Sequence, residues 1–288
     1  MPNHGTTGAC GLTNAQEREI VIGPAGAPDR YWRELWQYRE LFAFLAWRDI
    51  LVRYKQTVFG VAWSVIRPIM TMLAFTFIFG KLAHLPSEGV TYPILVYTAI
   101  LPWQLFSSSL AESGNSIVSN ANLISKVYFP RLIVLGGAVV VSMADFAISA
   151  GVLAFLMALY GFSPGLPILA LPFFLLIGLL ASVGGGLWFA ALNVKYRDFR
   201  HVIPFLLQFG LYVSPVGFSS GIVPDRWRLI YSVNPMVGVI DGFRWAVLGA
   251  NSPFYWPGFL LSMVLSSMIF ISGLRYFRKT ERVFADVI

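Results

Sequence analysis

"FAISAGVLAFLMALYGFSPGLPILALPFFLLIGLLASVGGGLWFAALNV", residues 146–194, contains no Asp, Glu, Lys or Arg. A helix needs about 20 apolar residues to cross the hydrocarbon core of a bilayer, so this stretch holds the end of one span and the whole of another. Working outward, the chain has three more gaps free of charge: Glu88 to Glu112, Arg200 to Asp225, and Arg244 to Arg275. The 288 residues are 57% hydrophobic and 12% charged, about half the charge of a soluble domain. The expectation is an all-α, polytopic membrane protein. Six spans are predicted, at about 58–80, 92–114, 132–159, 168–192, 202–218 and 256–274.

Residues 1–30 read as a flexible tail rich in Gly, Pro, Thr and Asn, without the basic and apolar regions of a signal peptide. Residues 31–288 read as one transmembrane domain. Cys10 is the only cysteine, which excludes an internal disulfide. The net charge of +7 reflects Lys and Arg flanking spans rather than a nucleic-acid surface. With a cytoplasmic N-terminus, sixteen Lys and Arg fall on the inner side and four on the outer, with Arg67 inside the first span. The positive-inside bias then places both termini in the cytoplasm.

Ahead of the first span, "YWRELWQYRELFAFLAW" (31–47) has helical periodicity. Trp32, Leu35, Trp36, Phe42, Leu45 and Ala46 share one face, with Arg39 the exception. An amphipathic helix lying on the inner leaflet is expected, the bland alternative being a helix that only packs on the bundle. Between spans five and six, 219–258 is too polar to cross, yet holds apolar patches around "WRLIY" and "MVGVIDGFRWAVL". Short re-entrant helices suit it, and Asp241 and Arg244 are spaced to pair. "SVGGGLWFAAL" (182–192) lacks the Lys-Ser/Thr of a phosphate loop, so close helix packing is the better reading.

Several segments together resemble one family. "RDILVRYKQTVFGVAWSVIRP" (48–68), "LPWQLFSSSL" (101–110), "NANLISKVYFPRLI" (120–133), "NVKYRDFRHVIP" (193–204) and "SVNPMVGVIDGFRWAVLG" (232–249) are similar to the permease subunits of ABC-2 type polysaccharide exporters, those of O-antigen, capsule and teichoic acid. The resemblance implies a homodimer that pairs with two copies of an ABC ATPase in the bacterial inner membrane. A lipid-linked polysaccharide, O-antigen foremost, would pass through a channel between the two permeases. No G-x-x-x-x-G-K-[ST] occurs in the chain, so ATP and Mg belong on the partner ATPase and no cofactor is expected here. Teichoic acid, drug or small-lipid export is the nearest alternative. A membrane glycosyltransferase is the distant one, since it would need an acidic or metal-binding site that the sequence does not offer; no metal ligand set is expected.

The candidate residues divide by role. For ATPase coupling, the inner loop 116–132 has Ser119 or Asn120 as a helix cap and would offer Leu123, Ile124, Val127 and Tyr128, rimmed by Lys126 and Arg131. Arg197 in the next inner loop is a weaker contact. For a lipid pyrophosphate at the entrance, Arg48, Arg53, Lys55 and Arg67 are the candidate cations, Arg67 alternatively snorkelling to headgroups. For the glycan channel, Phe75 and Phe79, and Phe205, Phe209 and Tyr212, each set on one helix face, would stack on sugar rings, unless they face lipid or core. Asn234, Asp241 and Arg244 are candidate outer-gate residues. Asp145, inside the third span, must be protonated, paired or wetted, and pairing is the simpler reading than a proton relay.

Overall fold

A computed structural model describes residues 28–55, 60–87, 89–196, 198–249, 254–281 and 284, and all regular elements among them are helical. The tail with Cys10, and the candidate coupling residue Arg197, lie outside the described residues. In chain order the helices are α1 (Pro28–Gln37), α2 (Arg39–Lys55), α3 (Gly60–Phe75), α4 (Tyr92–Ser119), α5 (Ala121–Ile124), α6 (Leu132–Leu159), α7 (Leu171–Lys195), α8 (Phe199–Val213), α9 (Asp225–Tyr231), α10 (Pro235–Leu248) and α11 (Trp256–Thr280). A π-helical turn over Thr76–Leu82 prolongs α3.

Five helical stretches are long and apolar enough to cross a membrane: Val61–Leu82, Tyr92–Ser119, Leu132–Leu159, Leu166–Lys195 and Trp256–Thr280. The protein is therefore a multi-pass membrane protein. The expected third span, 132–159, coincides with α6: Pro130 lies just ahead of its first turn, and Gly161, at φ 65°, turns the chain away beyond its last. The expected second span is longer than predicted and runs to Ser119, and Ser107, Ser108 and Ser116 within it donate their hydroxyls to carbonyls of their own helix.

α4 is the axis of the bundle, covered by α6, α7 and α10 along most of its length. Glycines let its neighbours close in. A Cβ on Gly186 would stand 2.5 Å from Ser113 Cβ of α4, and one on Gly184 would stand 2.6 Å from the Phe270 backbone of α11. The "GGG" run is thus a packing surface between three helices, as small residues in spans commonly are.

The expected fifth span differs. α8 has 15 residues, about 22 Å at 1.5 Å per residue, short of a hydrocarbon core of about 30 Å. It stops because Pro215 disfavours helical backbone at Ser214, which is extended (φ −84°, ψ 153°). The irregular segment beyond it is buried and its carbonyls are taken up by side chains. Val216 O and Phe218 O accept from Arg244, at 3.0 and 2.7 Å, and Gly217 O accepts from the Tyr92 hydroxyl at 2.8 Å. Non-helical backbone at membrane depth survives only when satisfied in this way.

The two short helices expected in 219–258 are present as α9 and α10. α9 is largely exposed, whereas α10 is buried among α4, α7 and α11. Asn234 starts α10 by accepting from Met236 N at 3.0 Å.

The N-terminal reading needs a correction. Residues 31–47 are not one helix: the chain breaks at Tyr38, so α1 and α2 do not share a continuous face. Leu45 and Ala46 are buried against α6, where Gly136 makes room for Phe42. Trp32 and Trp36 (70% exposed) point away instead, joined by Phe44 and Trp47. Arg39, the misfit of the predicted apolar face, lies over the Trp36 ring at 5.5 Å.

Candidate translocation site

Two clefts run along α4, one after the other. The first, about 500 Å³, lies between α2, α4 and α6 and is lined by Arg48, Asp49, Arg53, Glu112, Ser116 and Asn120 among others. The second, about 420 Å³, lies between α3, α4 and α8, with Arg67, Thr71, Trp103, Gln104, Ser108 and Gln208 on its walls. The α4 side of the pair recurs at helical spacing: Ile100, Trp103, Gln104, Ser107, Ser108, Ala111, Glu112, Ser116 and Ser119. From Ile100 to Ser119 that stripe extends about 28 Å at 1.5 Å per residue, close to the thickness of a hydrocarbon core.

Where the clefts meet, buried charge is compensated. Asp145, 6% exposed, takes a 2.6 Å ion pair from Arg53 Nη2 and accepts from Ser64 Oγ at 2.6 Å and the Tyr54 hydroxyl at 2.7 Å. Ser149, one turn along α6, donates to Ser64 O at 3.1 Å. The pairing reading of Asp145 is correct, with a partner 92 residues earlier. Burial, and next the bond to Asp145, push the Tyr54 hydroxyl up to about 12, so it stays a donor at any physiological pH. Arg53 Nη1 meets Glu112 at 3.0 Å.

The four candidate cations therefore differ. Arg53 is held by two carboxylates. Arg48 is engaged by Asp49 at 2.7 Å and by Asn120 Oδ1 at 3.0 Å. Lys55 is exposed and lines neither cleft. Arg67 is exposed at the second cleft, next to the buried Pro68.

The candidate channel aromatics divide as well. Phe75, expected in the pore, is buried in the core, packed edge-on to Phe79 at 5.5 Å and tilted against Tyr212 at 6.5 Å. Helical spacing gave Phe75 and Phe79 a common face but not the neighbour that covers it. Phe205 and Phe209 stack at 6.5 Å on an exposed face of α8, Phe209 60% exposed. None of these rings lines either cleft. The polar α4 residues Gln104, Ser107 and Ser108, with Thr71 and Gln208, do. Sequence reasoning missed them, although polar side chains recurring every three or four residues in an apolar span were visible in "WQLFSSSLAE".

In the loop 116–132, Asn120 both ends α4 and starts α5, and its side chain binds Ser116 O and Arg48 rather than a helix N–H. Ile124, expected to face a partner, is buried under the bundle, a second correction: α5 is a single turn, and Ile124 packs into the same cluster as Phe129 and Ile133. Leu123 is half-buried, while Lys126, Val127 and Tyr128 are exposed. Arg131 lies over the Phe284 ring at 5.7 Å, and its backbone N donates to Glu281 Oε1 at 3.0 Å. At the other end, the gate candidates are ties: Arg244, 1% exposed, also reaches Leu95 O at 3.3 Å, and Asn234 donates to Ser214 Oγ at 2.9 Å. Asp241 is buried on the same helix. Among the described residues no cluster of His, Cys, Asp and Glu suits a metal ion.

The two clefts set polar side chains and cations along one face of α4, groups that can hydrogen-bond hydroxyls and pair with anions. Residues 40–248 match the family described as ABC-2 type transporter. Curated relatives include an O-antigen export system permease protein, RfbA, of Klebsiella pneumoniae, 26% identical over 250 residues that cover 86% of this chain and 95% of that protein. Another, the O-antigen export system permease protein RfbA of Myxococcus xanthus, is 28% identical over 74% of this chain and 82% of its own. The polysialic acid transport protein KpsM of Escherichia coli is 24% identical over 81% of this chain and 91% of its own. With the family match covering most of its length, from α2 to the end of α10, the chain belongs to the ABC-2 type transporter family.

Proposed function

We propose that this chain is the permease subunit of an ATP-driven exporter that moves a lipid-linked polysaccharide, of the O-antigen kind, across the bacterial inner membrane. The observation that carries the reading is the polar stripe of α4. Gln104, Ser107, Ser108 and Glu112 succeed one another through an otherwise apolar span, with Arg67 and Trp103 beside them. A sliding glycan needs hydrogen-bond partners that exchange, and a ring against which C–H faces pack. The names of the relatives in Klebsiella, Myxococcus and Escherichia point to the same cargo class.

Two copies form the working unit. α8 presents Phe205, Phe209 and Tyr212 outward, which suits a wall shared with a second copy. α8 together with the pinned 214–218 segment makes the sixth crossing, and with α9 and α10 on the outer side both termini are cytoplasmic. α1 and α2 lie at the inner leaflet, with Trp32, Trp36 and Trp47 at headgroup level. Arg67 is the cation best placed for the substrate pyrophosphate. Two ABC ATPase subunits, which bind the ATP and Mg, dock at Leu123, Lys126, Val127, Tyr128 and Arg131.

Export of polymer to the cell surface tests this in a strain lacking its own permease. Gln104→Leu/Ser108→Leu is expected to cut surface polymer severalfold while the protein still accumulates in the membrane. Normal export by that variant would remove the α4 stripe from the pathway. Tyr128→Asp is expected to abolish co-purification with the ATPase without lowering permease levels.

A further inference from the structure

The two clefts have two lining residues in common, Arg53 and Glu112. Those two are the ion pair at 3.0 Å. We infer that the Arg53–Glu112 pair is a gate between the clefts, which a lipid diphosphate opens by replacing Glu112 as the partner of Arg53. The inference rests on the proposed export of a lipid-linked substrate.

The two carboxylates on Arg53 are unequal. The Asp145 side chain is 8% exposed and is further held by Tyr54 and Ser64, while the Glu112 side chain is 49% exposed and has no hydrogen bond among the described residues besides Arg53. An exposed partner in high dielectric is held weakly, and a buried one is costly to release. Arg53 therefore stays on Asp145, and Glu112 is the part that moves. A diphosphate is the natural competitor. Its oxygens can take the guanidinium fork in two parallel bonds, as a carboxylate's can, and it carries more charge than one carboxylate. Arg48 borders the first cleft and Arg67 the second, so a diphosphate leaving one cation finds another on each side of the gate. Glu112 occupies the anion position until cargo arrives and discourages uncharged or singly charged lipids from crossing the boundary.

The test uses the complex of permease and ATPase in nanodiscs of phosphatidylcholine, with equilibrium binding of a radiolabelled short-chain polyprenyl pyrophosphate. Glu112→Gln is expected to bind the probe severalfold tighter than wild type. In an Arg53→Gln/Asp145→Asn background, chosen because it leaves no buried carboxylate without its cation, adding Glu112→Gln is expected to change nothing. Equal affinity in wild type and Glu112→Gln, or the same gain in that background, overturns the gate. Phosphatidylglycerol and inorganic pyrophosphate replace the probe in parallel arms. A gain limited to the polyprenyl pyrophosphate, or shared with inorganic pyrophosphate, supports diphosphate recognition, the former assigning it to the lipid-borne group. A gain of the same size with phosphatidylglycerol overturns it. If the polyprenyl probe binds neither wild type nor Glu112→Gln, the export reading falls along with the gate; if wild type binds and Glu112→Gln is no tighter, the gate alone falls.

Discussion

Two arginines of this protein, one buried and one partly exposed, are held in opposite ways. Arg244, near the 214–218 segment, is enclosed and gives its guanidinium to backbone carbonyls of Leu95, Val216 and Phe218. Arg53, at the end of α2, is a third exposed and shared between two carboxylates of very different burial. The first arrangement has no cheap alternative, because losing the bonds to Val216 O and Phe218 O leaves carbonyls of irregular backbone without their arginine donor. The second has one, since Glu112 can be solvated. A buried cation caged by backbone fixes a fold, and a cation divided between a buried and an exposed acid can change partners.

The largest effect that tests this contrast is expected from Arg244→Met. The substitution keeps most of the length of the side chain and removes the donors to Val216 O and Phe218 O, each at about 1–3 kcal/mol for an unsatisfied buried group. The expected loss is about 3–5 kcal/mol, enough to exhaust much of the stability of an ordinary domain. It is read as a collapse of folded yield and of thermal stability in detergent. A well-folded Arg244→Met protein would show that the 214–218 carbonyls find other donors, and the cage would lose its structural meaning.

Asp145 comes second. Asp145→Ala takes the partner from Arg53 and the acceptor from Tyr54 and Ser64. Breaking a buried pair costs about 3–5 kcal/mol, but Arg53 is partly exposed and recovers water, so about 2 kcal/mol is expected after that screening. Asp145→Asn keeps an acceptor for the hydroxyls and is expected to lose about half as much. Thermal unfolding of the two variants separates charge from hydrogen bonding. Equal losses would mean that the hydroxyl bonds add nothing beyond the ion pair, whereas no loss in Asp145→Asn would mean that water serves Arg53 as well as Asp145 does.

The positions of these charges show what the sequence could and could not reveal. The membrane class and the bounds of α6 were readable from gaps in charge, because hydrocarbon imposes a length and a composition on any span. That Asp145 needs a partner was also legible, since an acid inside a span is expensive. Its partner was not: Arg53 lies on a different helix, and only the packing of α2 across α6 brings the two together. The same limit explains Phe75 and Ile124. Periodicity states which residues share a face, but the covering neighbour comes from tertiary packing. The polar stripe of α4 was legible in type and spacing and was passed over for aromatic residues, which proved to lie on the outer face of α8 or in the core. The shortening of α8 was signalled by Ser214-Pro215, whose effect on the preceding backbone is local.

The smallest effect concerns a third charge, partly buried just beyond α11, which falls between the two cases. Glu281 comes directly after α11 and accepts from Arg131 N at 3.0 Å and from the Tyr31 hydroxyl at 3.2 Å, tying α1 and the start of α6 to the C-terminal helix. Burial raises its pKa above the ordinary carboxylate value, and Arg131, Tyr31 and Arg278 offset part of that rise. A carboxyl with a raised folded pKa binds its proton more tightly in the folded state than in the unfolded one. Stability is then greatest below the unfolded value and declines as pH rises through the folded value, flattening above it. Glu281→Gln keeps an oxygen to accept from Arg131 N and removes the titration. Thermal unfolding of wild type is expected to weaken slightly as pH rises out of the acid range, relative to Glu281→Gln at each pH. Parallel curves for the two proteins would place Glu281 with Glu112 as a carboxylate that water reaches, and a steeper fall in the variant would reverse the sign of its burial.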